Sequence, residues 1–438
     1  MRRRVVAAVV VAVALGASYL GAQAYSSHRF EQETAALVAQ FDASDGWRVE
    51  RQDVERGWFH SRGRLVAHRM GRGTPTGLVV TTDYAADHGI LRTSLEGRSE
   101  VRDDGEPLFD DWLDTQAPLV WQGHFTTLTQ RVEMTLDVPA FHHAFPAGTM
   151  AALAAKTDVP SAGVDIDFGG LTLTLGQEDG TLDYAGELAP VTVDDGRSAL
   201  ALDRVRLDGR FTGDARDFSL RAALDIPRAT LNRSGVAPVE VDGLALAAEA
   251  SLHDHLSATA TLTLDDTEMR GQSLLSGQAQ FTLEPIDGNA YRRLVSRWQQ
   301  RRDALAQAVA RGASDEALKE LLSRPDEATR DAAVALLADS PQLTVNKLSL
   351  TSELLGIQTQ GEGALSLDGE GLAQQYASQG EAVFGPDLGR RLRGRLTLVE
   401  APAFLKLYLG VGLDADPLTL TLADGVLTFD DQRRVLIP

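Results

Sequence analysis

The sequence contains no cysteine, and its only long apolar run lies at the N-terminus. The missing thiols exclude disulfides, thiolate nucleophiles and cysteine-ligated zinc. Aromatic residues make up only 6% of the chain, and 38 of the 42 basic residues are arginine. Neither a Gly-x-Ser-x-Gly nucleophile element nor a phosphate-binding glycine loop is present. These absences predict a protein that uses no cofactor and has no catalytic residues of a known motif.

Negative charge dominates the chain, whose formal net charge is -20. The first 24 residues contribute +3, so the remainder carries -23. Such an acidic body repels nucleic acid at long range and favours solubility, which excludes a nucleic-acid partner. Residues 48–72 are the exception, with seven arginines against three carboxylates. This run predicts either a face near anionic headgroups or a solvated surface.

The N-terminal apolar segment is long enough to cross a membrane. No charged residue occurs between Arg4 and Arg29, and residues 5–27 would form a helix about 34 Å long at about 1.5 Å per residue. A hydrocarbon core is about 30 Å thick. The arginines at positions 2–4 favour a cytoplasmic N-terminus. We therefore predict a signal anchor that spans the bacterial inner membrane, with the C-terminal body in the periplasm.

A cleaved signal peptide is the alternative for the same segment. Ala22-Gln23-Ala24 fits the small-x-small rule of a signal-peptidase site. Cleavage after Ala24 would release the body into the periplasm, the same compartment.

The rest of the chain changes its hydrophobic period several times. Residues 28–45 follow the anchor as a juxtamembrane amphipathic helix, and period-two alternation predicts a β-rich ectodomain over residues 46–285. Helical spacing returns in an insert at residues 286–340, before a second β-rich region at residues 341–438. We predict an α+β fold, mostly antiparallel, in which an elongated twisted sheet meander follows the transmembrane helix of residues 1–27.

Histidine pairs are the sharpest metal candidates. His253 and His255 would share one face of a strand, so that both imidazoles reach one ion, whereas a turn would separate them. His142 and His143 would point to opposite sides of a strand, and the prolines that flank them predict a loop.

One element carries a resemblance to a known family. Val54-Glu-Arg-Gly-Trp-Phe-His-Ser61, in a strand-turn-strand setting after an N-terminal anchor, resembles the bacterial YdgA-like family, a domain of unknown function. The segment Leu336–Leu350, which leads from the helical insert into a strand, is similar to a later block of that family. The resemblance implies an envelope protein that faces the periplasm, and it supplies no catalytic residues.

The same element has a physical interpretation of its own, as a structural or interaction motif made of Arg56, Gly57, Trp58, Phe59 and Ser61. Gly57 permits a bend, and the two aromatic residues offer a large apolar surface at a strand start. The pattern predicts a hairpin corner that packs its aromatic residues in the core, with a ligand site as the alternative.

Three functions are compatible with these features. The first is a non-catalytic membrane-anchored envelope protein that presents a β-sheet surface to lipid, peptide or an envelope partner. The second is a periplasmic hydrolase, metal-assisted through His253 and His255. The third is a scaffold for surface or motility functions, with the helices of residues 289–338 as its partner surface.

Overall fold

The structure is a computed structural model of the 438-residue chain. It describes residues 26–32, 34–35, 38, 47–71, 74–107, 119–145, 163–214, 216–310, 327–380, 386–429 and 432–435. The chain forms two compact units. Unit 1 comprises Met1–His143, Asp167–Glu187 and Arg302–Glu320, and unit 2 comprises Ala144–Ile166, Leu188–Arg301 and Leu321–Pro438.

The first eleven strands lie mostly in unit 1: β1 Trp47–Arg56, β2 His60–Gly71, β3 Thr74–His88, β4 Arg92–Asp103, β5 Glu106–Pro107, β6 Leu119–Thr126, β7 Arg131–Val138, β8 Phe141–Phe145, β9 Val164–Phe168, β10 Leu171–Glu178 and β11 Thr181–Leu188. The central part of the unit 1 sheet is antiparallel throughout, in the order β1-β2-β3-β4-β6-β7-β10. Neighbours in this sheet are mostly consecutive in sequence, which explains why short turns suffice to connect them.

The remaining fourteen described strands belong to unit 2: β12 Val191–Asp194, β13 Ser198–Leu202, β14 Val205–Gly213, β15 Phe218–Arg233, β16 Val236–Leu252, β17 His255–Met269, β18 Gln272–Ser273, β19 Ser276–Asp287, β20 Gln342–Ser352, β21 Ile357–Leu367, β22 Leu392–Val399, β23 Leu418–Ala423, β24 Val426–Phe429 and β25 Gln432–Val435. An antiparallel series runs β15-β16-β17-β19-β20-β21-β22-β23-β24-β25. The prediction of a mostly antiparallel β-fold with helices is confirmed.

Helices interrupt the strands of unit 2 at the predicted insert and near the C-terminus. The insert contains the helices Gly288–Ala310 and Glu327–Ala338. Residues 311–326 of the predicted insert lie outside the described residues. Three short helices follow: Leu372–Gln379, Pro386–Arg390 and Ala403–Leu409.

The N-terminal helix is described at residues 26–32, 34, 35 and 38. Among the residues that the structure describes, no helix is long and apolar enough to cross a membrane. Residues 1–25, which hold most of the predicted anchor and the Ala24 cleavage site, lie outside them. Ser26 and Ser27, the last two residues of the predicted span, are buried in unit 1 at 0% and 7% exposure.

Each unit has its own buried cluster. Phe30 from the N-terminal helix packs with Tyr84, Ala86 and Phe125 of the unit 1 sheet. In unit 2, Phe429 and its neighbours form a cluster beneath the Ala403–Leu409 helix: Leu398, Ala401, Leu409, Val411 and Leu418. The N-terminal helix is thus part of the core of unit 1.

The predicted loop at His142 and His143 is wrong, because these residues lie in strand β8. His142 Nδ1 lies 2.6 Å from Asp167 Oδ1, and the rings of Phe141 and Phe168 stack with centroids 4.8 Å apart. Aromatic packing and the hydrogen bond between His142 and Asp167 favour the extended conformation, which overrides the flanking prolines.

Candidate functional site

The main apolar feature of unit 1 is a cavity of about 670 Å³ on one face of its sheet. Side chains alternate along every contributing strand, so that each strand directs its odd or its even positions to this face. None of the 21 described residues that line the cavity carries a charge. They are Phe30, Thr34, Val38, Trp47, Val49, Leu65, Ala67, Val80, Thr82, Tyr84, Leu95, Ser99, Val101, Leu119, Trp121, Phe125, Val132, Met134, Leu136, Leu173 and Leu175.

Strand register aligns these residues. Val49 of β1 stands opposite Ala67 of β2, which stands opposite Val80 of β3. Trp121 of β6 stands opposite Leu136 of β7. From Leu119 to Phe125 the apolar face extends about 20 Å at about 3.4 Å per residue. The volume and the apolar lining are those of a small-molecule site.

A glycine makes room for the largest ring of the cavity wall. Gly97 on β4 stands opposite Trp121, and a Cβ at Gly97 would lie 2.1 Å from Trp121 Cζ2. The indole therefore lies directly on the glycine backbone, which a side chain would prevent.

The N-terminal helix forms one wall of the cavity, and a buried ion pair fixes it there. Arg51 Nη1 and Nη2 donate to the two carboxylate oxygens of Glu31 at 2.8 and 3.0 Å, while Arg51 Nε donates to Tyr84 Oη at 2.7 Å. Only 11% and 12% of the Arg51 and Glu31 side chains are exposed. Burial lowers the pKa of Arg51, but the hydrogen bonds to Glu31 and Tyr84 outweigh it and raise that pKa overall.

The Arg-Gly-Trp-Phe element forms the β1–β2 hairpin corner, as predicted, but the predicted burial of its aromatic rings is wrong. Trp58 is 59% exposed and Phe59 is 50% exposed. Gly57 is required by close approach, because a Cβ there would lie 2.5 Å from the carbonyl oxygen of His60. Arg56 Nε lies 3.2 Å from Glu31 Oε2 and the Gly57 carbonyl accepts a hydrogen bond from Ser27, so the element contacts the N-terminal helix through polar groups.

Ser61, the last residue of the motif, is 1% exposed and belongs to a buried polar chain. Its Oγ lies 2.7 Å from His88 Nε2, and His88 Nδ1 lies 3.2 Å from Thr93 Oγ1. Burial lowers the pKa of His88, which opposes the smaller raising effects of Glu31 and Asp87. A nucleophile needs access to its substrate, and a catalytic imidazole is usually oriented by a carboxylate. Ser61 is buried, and the His88 Nδ1 atom faces Thr93 and not a carboxylate. The hydrogen bonds among Ser61, His88 and Thr93 therefore serve to join strands β2, β3 and β4.

The structure does not bring the predicted metal candidates His253 and His255 to a common ion. His253 lies in the β16–β17 turn, with Nδ1 2.7 Å from Asp217 Oδ1, whereas His255 Nδ1 lies 3.4 Å from Asp339 Oδ2. Within the described part of the chain, no three His, Cys, Asp or Glu residues form a group that could hold a metal.

Unit 2 contains a polar cleft of about 800 Å³ beside the predicted partner helices. Four arginines line it: Arg216, Arg292, Arg293 and Arg297. Arg292 donates to the backbone carbonyls of Arg216 and His253, so this guanidinium joins the helix to two turns of the unit.

The family model for "Bacterial protein of unknown function (DUF945)" matches residues 1–381. The chain belongs to this family. The match to DUF945 includes the apolar cavity, the Arg-Gly-Trp-Phe element and the helical insert, and the predicted YdgA-like membership is confirmed. No curated protein and no solved structure matches the chain.

Sequence reasoning missed the cavity of this DUF945 protein and the buried Ser61–His88 pair. The alternating apolar residues of each strand were visible in the sequence, but the register that assembles them was not. Ser61 and His88 are 27 residues apart, and only the β2–β3 pairing brings them together.

Proposed function

We propose that the chain is a non-catalytic, membrane-anchored periplasmic protein that binds the acyl chain of a lipid in the unit 1 cavity. The single observation that carries this proposal is the uncharged lining of the 670 Å³ cavity. Each CH₂ group that leaves water gains about 0.8 kcal/mol, and the lining offers a charged ligand no ionic partner.

The placement of the cavity also favours a lipid. Phe30, Thr34 and Val38 line it from the helix that follows the predicted membrane span. In the proposed arrangement, residues 1–25 include the anchor, so the cavity belongs to the unit next to the bilayer. Peptide or protein ligands are the alternatives, but they carry backbone polar groups that this lining does not satisfy.

A photoactivatable 16-carbon fatty acid tests the proposal on the full-length protein in nanodiscs. We expect it to cross-link to peptides from β2, β4 and β6. Ala67→Phe places a phenyl ring inside the cavity, whereas Val66→Phe places the same ring on the other face of the same strand. Losing the contacts of two CH₂ groups should weaken labelling about tenfold in Ala67→Phe, since about 1.4 kcal/mol corresponds to tenfold.

Val66→Phe should label as the natural protein does. Equal labelling of both variants, or cross-links spread evenly over the chain, would show that the cavity does not hold the acyl chain. Intact-mass measurement after gentle extraction adds a second readout, because a resident lipid should be lost from Ala67→Phe and kept by Val66→Phe.

A further inference from the structure

Large apolar side chains project from three neighbouring turns of unit 1. The turns are residues 57–59 between β1 and β2, residues 89–91 between β3 and β4, and residues 127–130 between β6 and β7. We name them together the tip edge. Trp58 and Phe59 are 59% and 50% exposed, Leu91 is 55% exposed and Leu128 is 74% exposed.

Backbone hydrogen bonds hold the three turns side by side. The amide of His88 donates to the Phe59 carbonyl at 2.6 Å, which joins the first turn to the second. The amide of Thr127 donates to the Leu91 carbonyl at 2.9 Å, which joins the second turn to the third. The exposed apolar residues therefore occupy one continuous edge rather than separate loops.

The first described residues of the N-terminal helix are bonded to this edge. Ser26 Oγ lies 2.7 Å from Thr127 Oγ1, and Ser27 Oγ donates to the Gly57 carbonyl at 2.9 Å. The described part of the chain therefore begins at the tip edge. Residues 5–25 have no charged side chain and would span about 32 Å as a helix at about 1.5 Å per residue.

The apolar character belongs to this edge and not to every turn of the unit. The β4–β5 turn, at the opposite end of β4, reads Asp104-Gly105 and is followed by Glu106. The β10–β11 turn lies at the same end of the sheet as the tip edge, beside the start of β7, and it is acidic. The ion pair of Arg131 with Glu178 therefore marks where the apolar stretch ends. Contiguous exposed apolar residues mark an interaction surface, and tryptophan at the rim of an apolar segment is typical of a membrane interface.

We propose that the tip edge contacts the bilayer, with Trp58, Phe59, Leu91 and Leu128 in its interfacial layer beside the emerging anchor. The inference rests on the anchoring part of the proposed function and goes beyond it, because an anchor alone leaves the turns in water. The indole and the phenyl ring insert at headgroup depth, whereas Ser26, Thr127 and Ser61 stay buried in the protein.

The absence of cysteine makes a direct depth measurement possible. Phe59→Cys and Leu128→Cys each give one attachment point for a nitroxide, and both sites are exposed, so labelling preserves the fold. Glu106→Cys is the matched control, an exposed site in β5 directly after the turn at the far end of β4. The full-length protein is reconstituted in liposomes of phosphatidylcholine and phosphatidylglycerol, and the labels' accessibility to oxygen and to a water-soluble nickel chelate is measured.

We expect the labels at positions 59 and 128 to favour oxygen, with nickel accessibility lowered about fivefold or more relative to position 106, as for groups at 5–10 Å depth. Nickel accessibility equal to that of position 106 in protein that floats with the liposomes would overturn the proposal and leave the anchor intact. Failure to float would overturn the anchor and the tip edge together. Spin–spin broadening between labels would assign the edge to a second copy of the chain, which also overturns it.

Discussion

At the scale of single residues, His88 links the stability of unit 1 to pH. Burial keeps its folded pKa below the ordinary value of 6.5, against the opposing carboxylates Glu31 and Asp87 and with a small contribution from His60. The unfolded chain therefore binds a proton at a higher pH than the folded chain does. The stabilisation is complete above about pH 6.5 and is lost as the pH falls toward the folded pKa.

We expect the free energy of unfolding of unit 1 to fall between pH 7 and pH 5, and His88→Gln to flatten that slope. The variant also loses about 1–3 kcal/mol at pH 7.5 through its broken hydrogen bonds. Hydrogen exchange of β2 and β3 peptides measures both effects. His60→Gln, at an exposed neighbour, is the control, and a slope that survives in His88→Gln would refute the assignment.

Gly97 is the residue on which the cavity wall depends. Gly97→Ala should displace the Trp121 ring, because the new Cβ would overlap it, and should cost about 1–3 kcal/mol as overpacking does. Hydrogen exchange of β4 and β6 peptides reports the change. In Gly176→Ala the nearest atom lies 3.8 Å from the new Cβ, so this control should change stability by less than about 0.5 kcal/mol. Equal effects of both substitutions would contradict the close contact.

At the scale of elements, the N-terminal helix depends on Glu31. Glu31→Gln leaves Arg51 without its carboxylate in a buried site, which should cost about 3 kcal/mol and release the helix from β1. Glu55→Gln removes a comparable bidentate pair with Arg62 that is 64–65% exposed, and because solvent screens this pair we expect a much smaller loss of stability. Faster hydrogen exchange over residues 26–32 and 47–56 in the first variant alone is the expected outcome. Similar exchange in both variants would mean that the helix is held by apolar contacts only.

The positions of the strands are easier to predict from the sequence than the exposure of individual side chains. Period-two alternation indicated strands such as β10 and β23, because each places one row of apolar side chains against a core. The sequence predicts that Trp58 and Phe59 are buried, because large aromatic rings usually are, but the local sequence of a hairpin corner does not reveal what packs beside it. The cavity needed seven paired strands, and no local pattern encodes their register.

At the scale of the whole molecule, charge determines the predicted topology. Three arginines precede the apolar segment, whereas the remainder of the chain after residue 24 carries -23. Alkaline phosphatase fused after Pro438 should therefore be active, since it requires the periplasm, and a cytosolic reporter at the same place should be inactive. The reverse pattern would remove the basis for the anchor and for the tip edge.

The hydrogen bonds from Ser26 to Thr127 and from Ser27 to Gly57 limit how unit 1 can move relative to the predicted anchor. If the membrane span ends just before Ser26, no flexible linker separates the bilayer from unit 1. A domain on a long tether tumbles and samples every orientation. Here a rotation of the apolar segment would turn unit 1 with it, so the mouth of the cavity would keep one angle to the lipid surface.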